Sequence, residues 1–186
     1  AFSGCSSLVS IEIPGGVESI GDMAFFGCSS LTGIEGLSEV KRIGVEAFGG
    51  CSSLRNMELP DGLIYIGKRA FVGCSSLTEI TIPGTVRSVL QYTFEKCSSL
   101  SCVSMGEGVK NIAESAFRDC SGLESVKIPN SVTWIGQYAF CNCSSLTGVS
   151  IPEGIIRIGD GVFSGCSSLT EVTLPKNVTG IGKYAF

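Results

Sequence analysis

The segment Gly165-Cys166-Ser167-Ser168-Leu169-Thr170-Glu171-Val172-Thr173-Leu174-Pro175 decides the fold of this chain. Its apolar residues at 172 and 174 alternate with exposable ones, which predicts a short strand with one buried face. Pro175 lacks an N–H and therefore ends the strand. Eight copies of this segment, each with a leucine at the position of Leu169, recur along the 186 residues.

The copies repeat with a fixed period of 23 residues, which also spaces the phenylalanines from Phe2 to Phe186. A period of roughly 20 to 29 residues is typical of leucine-rich solenoids. We therefore expect one domain, residues 1–186, that grows in one dimension. The chain opens on Ala1-Phe2 and closes on Ala185-Phe186 at the same phase of the repeat. We expect it to be a segment of a longer protein.

The rest of each repeat predicts turns. A second apolar pair, such as Val17 and Ile20, has a spacing of three that fits an inward-turning loop or a second short extended segment. The following Ala-Phe pair is too short for a stable helix, so we expect one helical or 3-10 turn. The predicted fold is a solenoid of eight 23-residue coils, with a parallel β-sheet on one face and short helical or 3-10 turns and loops on the other.

Composition argues against several functions. The chain has no histidine, which removes the usual Ser-His-Asp and Cys-His nucleophiles and mixed Cys/His zinc sites. Its net charge of −4 disfavours nucleic-acid binding. No apolar run approaches the ~18 residues of a membrane span. We predict a protein that is not an enzyme and has no cofactor, no metal, no nucleic-acid partner and no membrane span in this segment.

The full unit reads L-x-x-V-x-I-P-x-x-V-x-x-I-G-x-x-A-F-x-G-C-S-S, and it resembles the BspA-like, or Treponema pallidum type, leucine-rich repeats. The resemblance covers the whole chain. It implies a leucine-rich solenoid of a family whose members are mostly cell-surface or secreted binding proteins, several of them implicated in adhesion. The family contributes no catalytic or fixed ligand-contact residues. The asparagine ladder usual in leucine-rich repeats is missing, and the Cys-Ser-Ser corner is a candidate replacement.

Eight of the ten cysteines share one repeat position. Stacking places their Cα atoms ~4.8 Å apart, which disulfides allow, but their Cα–Cβ bonds run parallel, which disfavours bridging. We predict a structural ladder of buried free thiols, with disulfides or a metal site as the alternatives. Cys102 and Cys141 lie off this ladder. The ladder comprises Cys5, Cys28, Cys51, Cys74, Cys97, Cys120, Cys143 and Cys166.

Two groups of side chains are candidates for binding. Glu12, Glu35 and Glu58 should stack on the outer face of the sheet, either as an inert acidic stripe or as a site for a cation or a basic partner. A second group is predicted on the loops, because Trp, Tyr and Arg dominate binding hot spots; partial burial of the rings is the alternative. This second group consists of Trp134, Tyr138, Arg157 and Tyr65.

These observations favour a non-catalytic protein-binding solenoid that acts as a cell-surface adhesion or attachment module. Its partner would be a matrix or cell-surface protein. The alternative is a structural or scaffolding subunit of a larger intracellular or organellar assembly, with neighbouring subunits as partners. Ten reduced cysteines would fit a reducing compartment better than an oxidising one.

Overall fold

The computed structural model describes residues 1–186 and is a parallel β-solenoid in which each 23-residue repeat forms one coil. Strands of successive coils pair in parallel at a spacing of one repeat, so that Ser10 lies opposite Gly33 and Ile11 opposite Ile34. The predicted repeat length and parallel pairing are confirmed. Because every coil returns to the same phase, each side chain stacks on the side chain 23 residues away.

The strands form two columns that run along the solenoid, each made of equivalent strands from successive coils. The second apolar pair of the repeat therefore forms a short extended segment rather than a loop. The first column contains β1 (Ser10–Glu12), β3 (Gly33–Glu35), β6 (Glu79–Ile82), β8 (Cys102–Met105), β10 (Ser125–Lys127), β12 (Gly148–Ser150) and β14 (Glu171–Thr173). The second contains β2 (Ser19–Ile20), β4 (Arg42–Ile43), β5 (Tyr65–Ile66), β7 (Ser88–Val89), β9 (Asn111–Ile112), β11 (Trp134–Ile135), β13 (Arg157–Ile158) and β15 (Gly180–Ile181).

The prediction of helical or 3-10 turns around Ala-Phe was wrong, because the chain contains no helix. The amide of Phe25 donates to the carbonyl of Ala47 in the next coil at 2.8 Å, so it is unavailable to a helix within its own coil. In addition, Met23 and Gly27 have φ angles of 51° and 71°. Residues in this left-handed region on both sides of Ala-Phe interrupt a right-handed helix.

The largest element of the core is a continuous stack of phenylalanine rings. Neighbouring centroids lie 5.2 to 5.6 Å apart, and the ring planes are inclined by 1 to 12°. Nearly parallel rings with this centroid separation are offset, which is a favourable arrangement. The rings from Phe48 to Phe163 are at most 1% exposed. The stack therefore contributes apolar burial at every junction between coils.

Most of the backbone hydrogen bonding lies outside the sheets. Only 13 of the 108 backbone hydrogen bonds are within strands. Many others join equivalent turns of adjacent coils, as between the amide of Phe94 and the carbonyl of Ala116 at 2.8 Å. The turn face is thus held by a third ladder of bonds, and the short strands need not stabilise the solenoid alone.

The two columns of strands are interrupted. The first column has no strand in the third repeat, and β10 is not hydrogen-bonded to β12. The second column is interrupted between β5 and β7 and again between β11 and β13. At the β5–β7 interruption Leu90 stands where Gly67 stands one repeat earlier. A Cβ at Gly67 would lie 2.5 Å from backbone atoms of the preceding coil, so a leucine at this position requires the coils to separate.

Replacing Phe94 by alanine should reduce the free energy of unfolding by about 3–5 kcal/mol, because it opens a cavity in the middle of the stack. Urea unfolding followed by circular dichroism measures this loss. Phe26→Ala is the matched control, since Phe26 lies next to the stack on the turn face and is partly exposed. Equal, small losses in both variants would show that the stack is not the main source of stability.

Candidate functional site

A wide groove lies on the outer face of the first column of strands, across the first three coils. Its volume is about 1090 Å³, and Glu12, Glu35, Glu58 and Asp61 line it. Glu12 lies directly opposite Glu35 in the paired strands β1 and β3. All four carboxylates are exposed. The structure thus brings the three predicted glutamates into one acidic groove, to which Asp61 adds a fourth charge.

Gly36 lines the groove at a point where the first two coils approach closely. Its φ is 79°, and a Cβ at this residue would clash with the carbonyl oxygen of Ile13. The second repeat has Gly36-Leu37 where most repeats have Ile-Pro or Leu-Pro, and the backbone approaches the previous coil closely at this residue. Leu37 fills the core position and is 7% exposed. The third coil then passes Asn56–Leu59 without forming a strand.

The carboxylates of the acidic groove have no cationic partner within the protein. The salt bridges of the chain join Lys41 to Glu18, Arg69 to Glu46 and Arg118 to Asp119, all away from the groove. At ~5 Å in water two carboxylates repel each other by less than about 1 kcal/mol. The solvated face tolerates this repulsion, and a cationic partner would relieve it. No group of three or more carboxylates or thiols is arranged to hold a metal ion.

The second predicted group of binding residues lies partly on strands rather than on loops. Trp134 is on β11 and Arg157 on β13, one repeat apart at the same position, and both side chains line a smaller pocket of about 380 Å³. Trp134 is 50% exposed. The structure therefore brings Trp134 and Arg157 together on the outer face of the second column.

Tyr65 and Tyr138 do not line this pocket. Tyr65 lies three repeats before Trp134, and its ring is covered by the guanidinium of Arg42 at 4.3 Å from the ring centroid. Tyr138 belongs to the turn, where its φ is 57° and its ring packs against Gly161 of the next coil. The four residues predicted as one group thus occupy three separate places on the surface.

Seven of the eight ladder cysteines are buried, and all are free thiols. Each buried thiol donates to the carbonyl oxygen of the phenylalanine 26 residues earlier, at 3.1 to 3.3 Å. Burial raises the pKa of Cys51 to about 12 and the pKa of Cys97 well above its ordinary value. Cys51 and Cys97 therefore stay protonated at neutral pH and act as small apolar groups with one hydrogen bond.

The remaining cysteines differ from the buried ladder. Cys5 belongs to the ladder by sequence but is exposed in the first coil of residues 1–186. Cys102 faces outward on β8 and is exposed, as the alternation of the strand predicts. Cys141 lies on the turn and is buried, and burial raises its pKa.

The serines after each ladder cysteine continue the bonding between coils. The hydroxyl of Ser52 donates to the carbonyl of Ser29 at 3.3 Å, and the hydroxyl of Ser75 donates to that of Ser52 at 3.4 Å. Together with the thiol bonds, these contacts satisfy backbone carbonyls at the corner of the coil. The Cys-Ser-Ser corner thus carries its own ladder of hydrogen bonds between coils.

Two features of the surface have little signal in the sequence. The interruption between β11 and β13 opens the pocket at Trp134, although Ile135 and Gly159 beside it both follow the repeat pattern. Glu114 and Gln137 also line that pocket, from the turn that follows the second strand. In the sequence, Glu114 and Gln137 are linked only by occupying the same position in two successive repeats.

The fold and its surfaces define a leucine-rich repeat solenoid, a class of protein-binding repeat modules. The family described as BspA type leucine rich repeat region (6 copies) matches residues 1–124 and 91–186. The two matches together span the chain, which therefore belongs to the BspA-type leucine-rich repeat family. The resemblance expected from the repeat unit is confirmed.

Two solved structures are similar in both sequence and fold. One is the leucine-rich repeat protein of Treponema pallidum, with 33% identity and a TM-score of 0.64, covering 94% of this chain and 73% of that protein. The other is a leucine rich cell surface protein of Faecalibacterium prausnitzii, with 32% identity and a TM-score of 0.75. The similarity covers 96% of this chain but only 58% of the Faecalibacterium prausnitzii protein.

A leucine-rich repeat protein of Eubacterium ventriosum, 18% identical with a TM-score of 0.53, shares the fold; it covers 96% of this chain and 82% of that protein. No curated protein matches the chain significantly. The structure contains no helix that could span a membrane.

Because burial raises the pKa of thiols such as Cys51, we expect the protein to lose stability in alkali. The native state keeps protons on Cys51 up to its raised pKa of about 12, whereas the unfolded chain releases them near the ordinary value of 9.0. The contribution of Cys51 to the free energy of unfolding is therefore fully present below pH 9 and is lost as the pH rises towards 12. Urea unfolding across this range measures the fall.

Cys51→Ala should make that fall shallower, by up to about 1.4 kcal/mol per pH unit for one titrating group. Cys102→Ala is the control, since Cys102 is exposed and should leave the slope unchanged. If both variants have the slope of the unaltered protein, the buried thiol does not control alkaline stability.

Proposed function

We propose that this chain is a non-catalytic protein-binding module displayed on a cell surface, where it mediates attachment to a matrix or cell-surface protein. One observation carries the proposal: the acidic groove presents Glu12, Glu35, Glu58 and Asp61 to solvent without any cationic partner in the chain. The similarity to the cell surface protein of Faecalibacterium prausnitzii supports a location on the cell surface for this chain.

The groove fits a basic, extended segment of a partner protein. Its length over three coils allows a segment to contact several carboxylates at once, and its volume of about 1090 Å³ accommodates long side chains. Lysine or arginine side chains would relieve the repulsion between Glu12 and Glu35. Complementary charge of this kind raises the association rate and specificity more than the affinity itself.

A double variant, Glu12→Lys with Glu35→Lys, tests the groove. Binding to purified extracellular-matrix proteins immobilised on a biosensor should weaken about tenfold, and the association rate should lose most of its salt dependence. Glu124→Lys is the matched control, because Glu124 is exposed but lies outside the groove. Binding that survives the double variant removes the groove from the interface. Failure of every matrix protein to bind contradicts the adhesion role.

A second candidate is a scaffolding subunit inside a reducing compartment. The ten unpaired cysteines favour it, particularly the exposed Cys102, which an oxidising environment would modify. Labelling intact cells with a reagent that cannot cross membranes distinguishes the two candidates. Labelling of the protein supports surface display, whereas labelling only after lysis supports the scaffold.

A further inference from the structure

The interruption between β11 and β13 leaves a backbone donor and an acceptor without partners. In the coil before, the amide of Gly136 donates to the carbonyl of Ile112 at 2.7 Å, and in the coil after, the amide of Gly182 donates to that of Ile158 at 2.9 Å. The equivalent bond from Gly159 to Ile135 is absent. Backbone donors and acceptors that the strands leave unpaired are open to hydrogen bonds from another molecule, so this unused pair indicates a ligand position.

The coils are also further apart at this point. A Cβ at Gly136 would lie 2.5 Å from backbone atoms of the preceding coil, whereas at Gly159 the nearest backbone atoms of the preceding coil would be 3.7 Å away. The pocket of about 380 Å³ opens over this gap, and both Ile135 and Gly159 line it. Its volume is at the lower end of the range for small-ligand sites, roughly 300–1,000 Å³, which suits one compact ligand.

The pocket has one aromatic wall and otherwise polar side chains. The half-exposed indole of Trp134 is the wall, and Glu114, Gln137 and Arg157 surround it. The hydroxyl of Tyr92 donates to Oε1 of Glu114 at 3.3 Å, which orients the carboxylate. That carboxylate in turn raises the pKa of Tyr92, so the phenol keeps its proton. One negative and one positive side chain leave the pocket with no net charge.

We propose that this pocket, the Trp134 pocket, binds one neutral sugar unit of a glycan. A sugar ring has an apolar C–H face that can stack on the indole and a rim of hydroxyls that reaches the polar side chains. A hydroxyl both donates and accepts, so it can accept from the amide of Gly159 and donate to the carbonyl of Ile135. Glu114 and Gln137 supply acceptors and donors for further hydroxyls.

Other ligand classes fit this pocket less well. A peptide strand added to a sheet needs a row of free backbone groups, and this pocket is lined by one such donor, at Gly159, and one such acceptor, at Ile135. A phosphorylated or carboxylated ligand would need excess positive charge, which Glu114 cancels. The site is separate from the acidic groove, so its test does not depend on the proposed adhesion role.

Trp134 is the only tryptophan of the chain, so its fluorescence reports on this pocket alone. Titration of the full chain with glucose, galactose, mannose, N-acetylglucosamine and their disaccharides should shift or quench the emission, with a Kd on the order of 1 mM for at least one sugar. Calorimetry of the same sugar should give the same Kd, which excludes an optical artefact. No change in either measurement with all the sugars would overturn the proposal.

Gln137→Ala and Glu114→Gln keep the reporter and should each weaken sugar binding at least fivefold, while Trp134→Ala should abolish the calorimetric signal. Tyr65→Ala is the matched control, because Tyr65 occupies the repeat position of Trp134 but lies outside the pocket. Circular dichroism confirms that each variant is folded. Sugar binding unaffected by Gln137→Ala and Glu114→Gln, or an uncharged nucleoside binding more tightly than every sugar, would overturn the assignment.

Discussion

The hydrogen bond between a backbone amide and the carbonyl one coil away sets the distance on which every other feature depends. It sets the distance between neighbouring coils to the strand spacing of ~4.8 Å, both in the sheets and along the turn face. Any residue type that recurs at one position of the repeat must then stack on itself at this distance. A sequence that repeats can form this fold only if each side chain tolerates a copy of itself as its neighbour.

Phenylalanine, cysteine and serine meet this requirement in different ways. Phenylalanine rings stack with an offset, as between Phe94 and Phe117 with centroids 5.3 Å apart. A thiol such as Cys97 fits beside its copies because it directs its proton to a backbone carbonyl and not to the next sulfur. Serine hydroxyls do the same along the corner. Carboxylates do not meet the requirement, and Glu12 and Glu35 are stacked only where water screens them.

The interior of the fold could be predicted from the sequence because this self-stacking leaves a 23-residue signature that one chain displays eight times. The left-handed turns could not, because Met23, Arg69 and Tyr138 occupy that conformation although none of them is glycine. At these three positions the amide bonds to the next coil, as from Met23 to Val45 at 2.8 Å, and the residue type gives no indication of the conformation. The grouping of Glu12, Glu35 and Glu58 followed from spacing alone. That of Trp134 with Glu114 and Gln137 did not, since it depends on one missing hydrogen bond.

Both candidate sites lie where this regular bonding is interrupted. Where the bonding is unbroken, the backbone amides and carbonyls inside the solenoid are paired with neighbouring coils and are not available to a ligand. The acidic groove lies where Gly36 replaces the usual apolar residue and the third coil forms no first-column strand, and the separation at Gly159 frees an amide and a carbonyl beside Trp134. A solenoid can accept such interruptions because each one costs only local contacts between two coils, while the other junctions remain intact. The repeat therefore supplies stability, and its departures supply specificity.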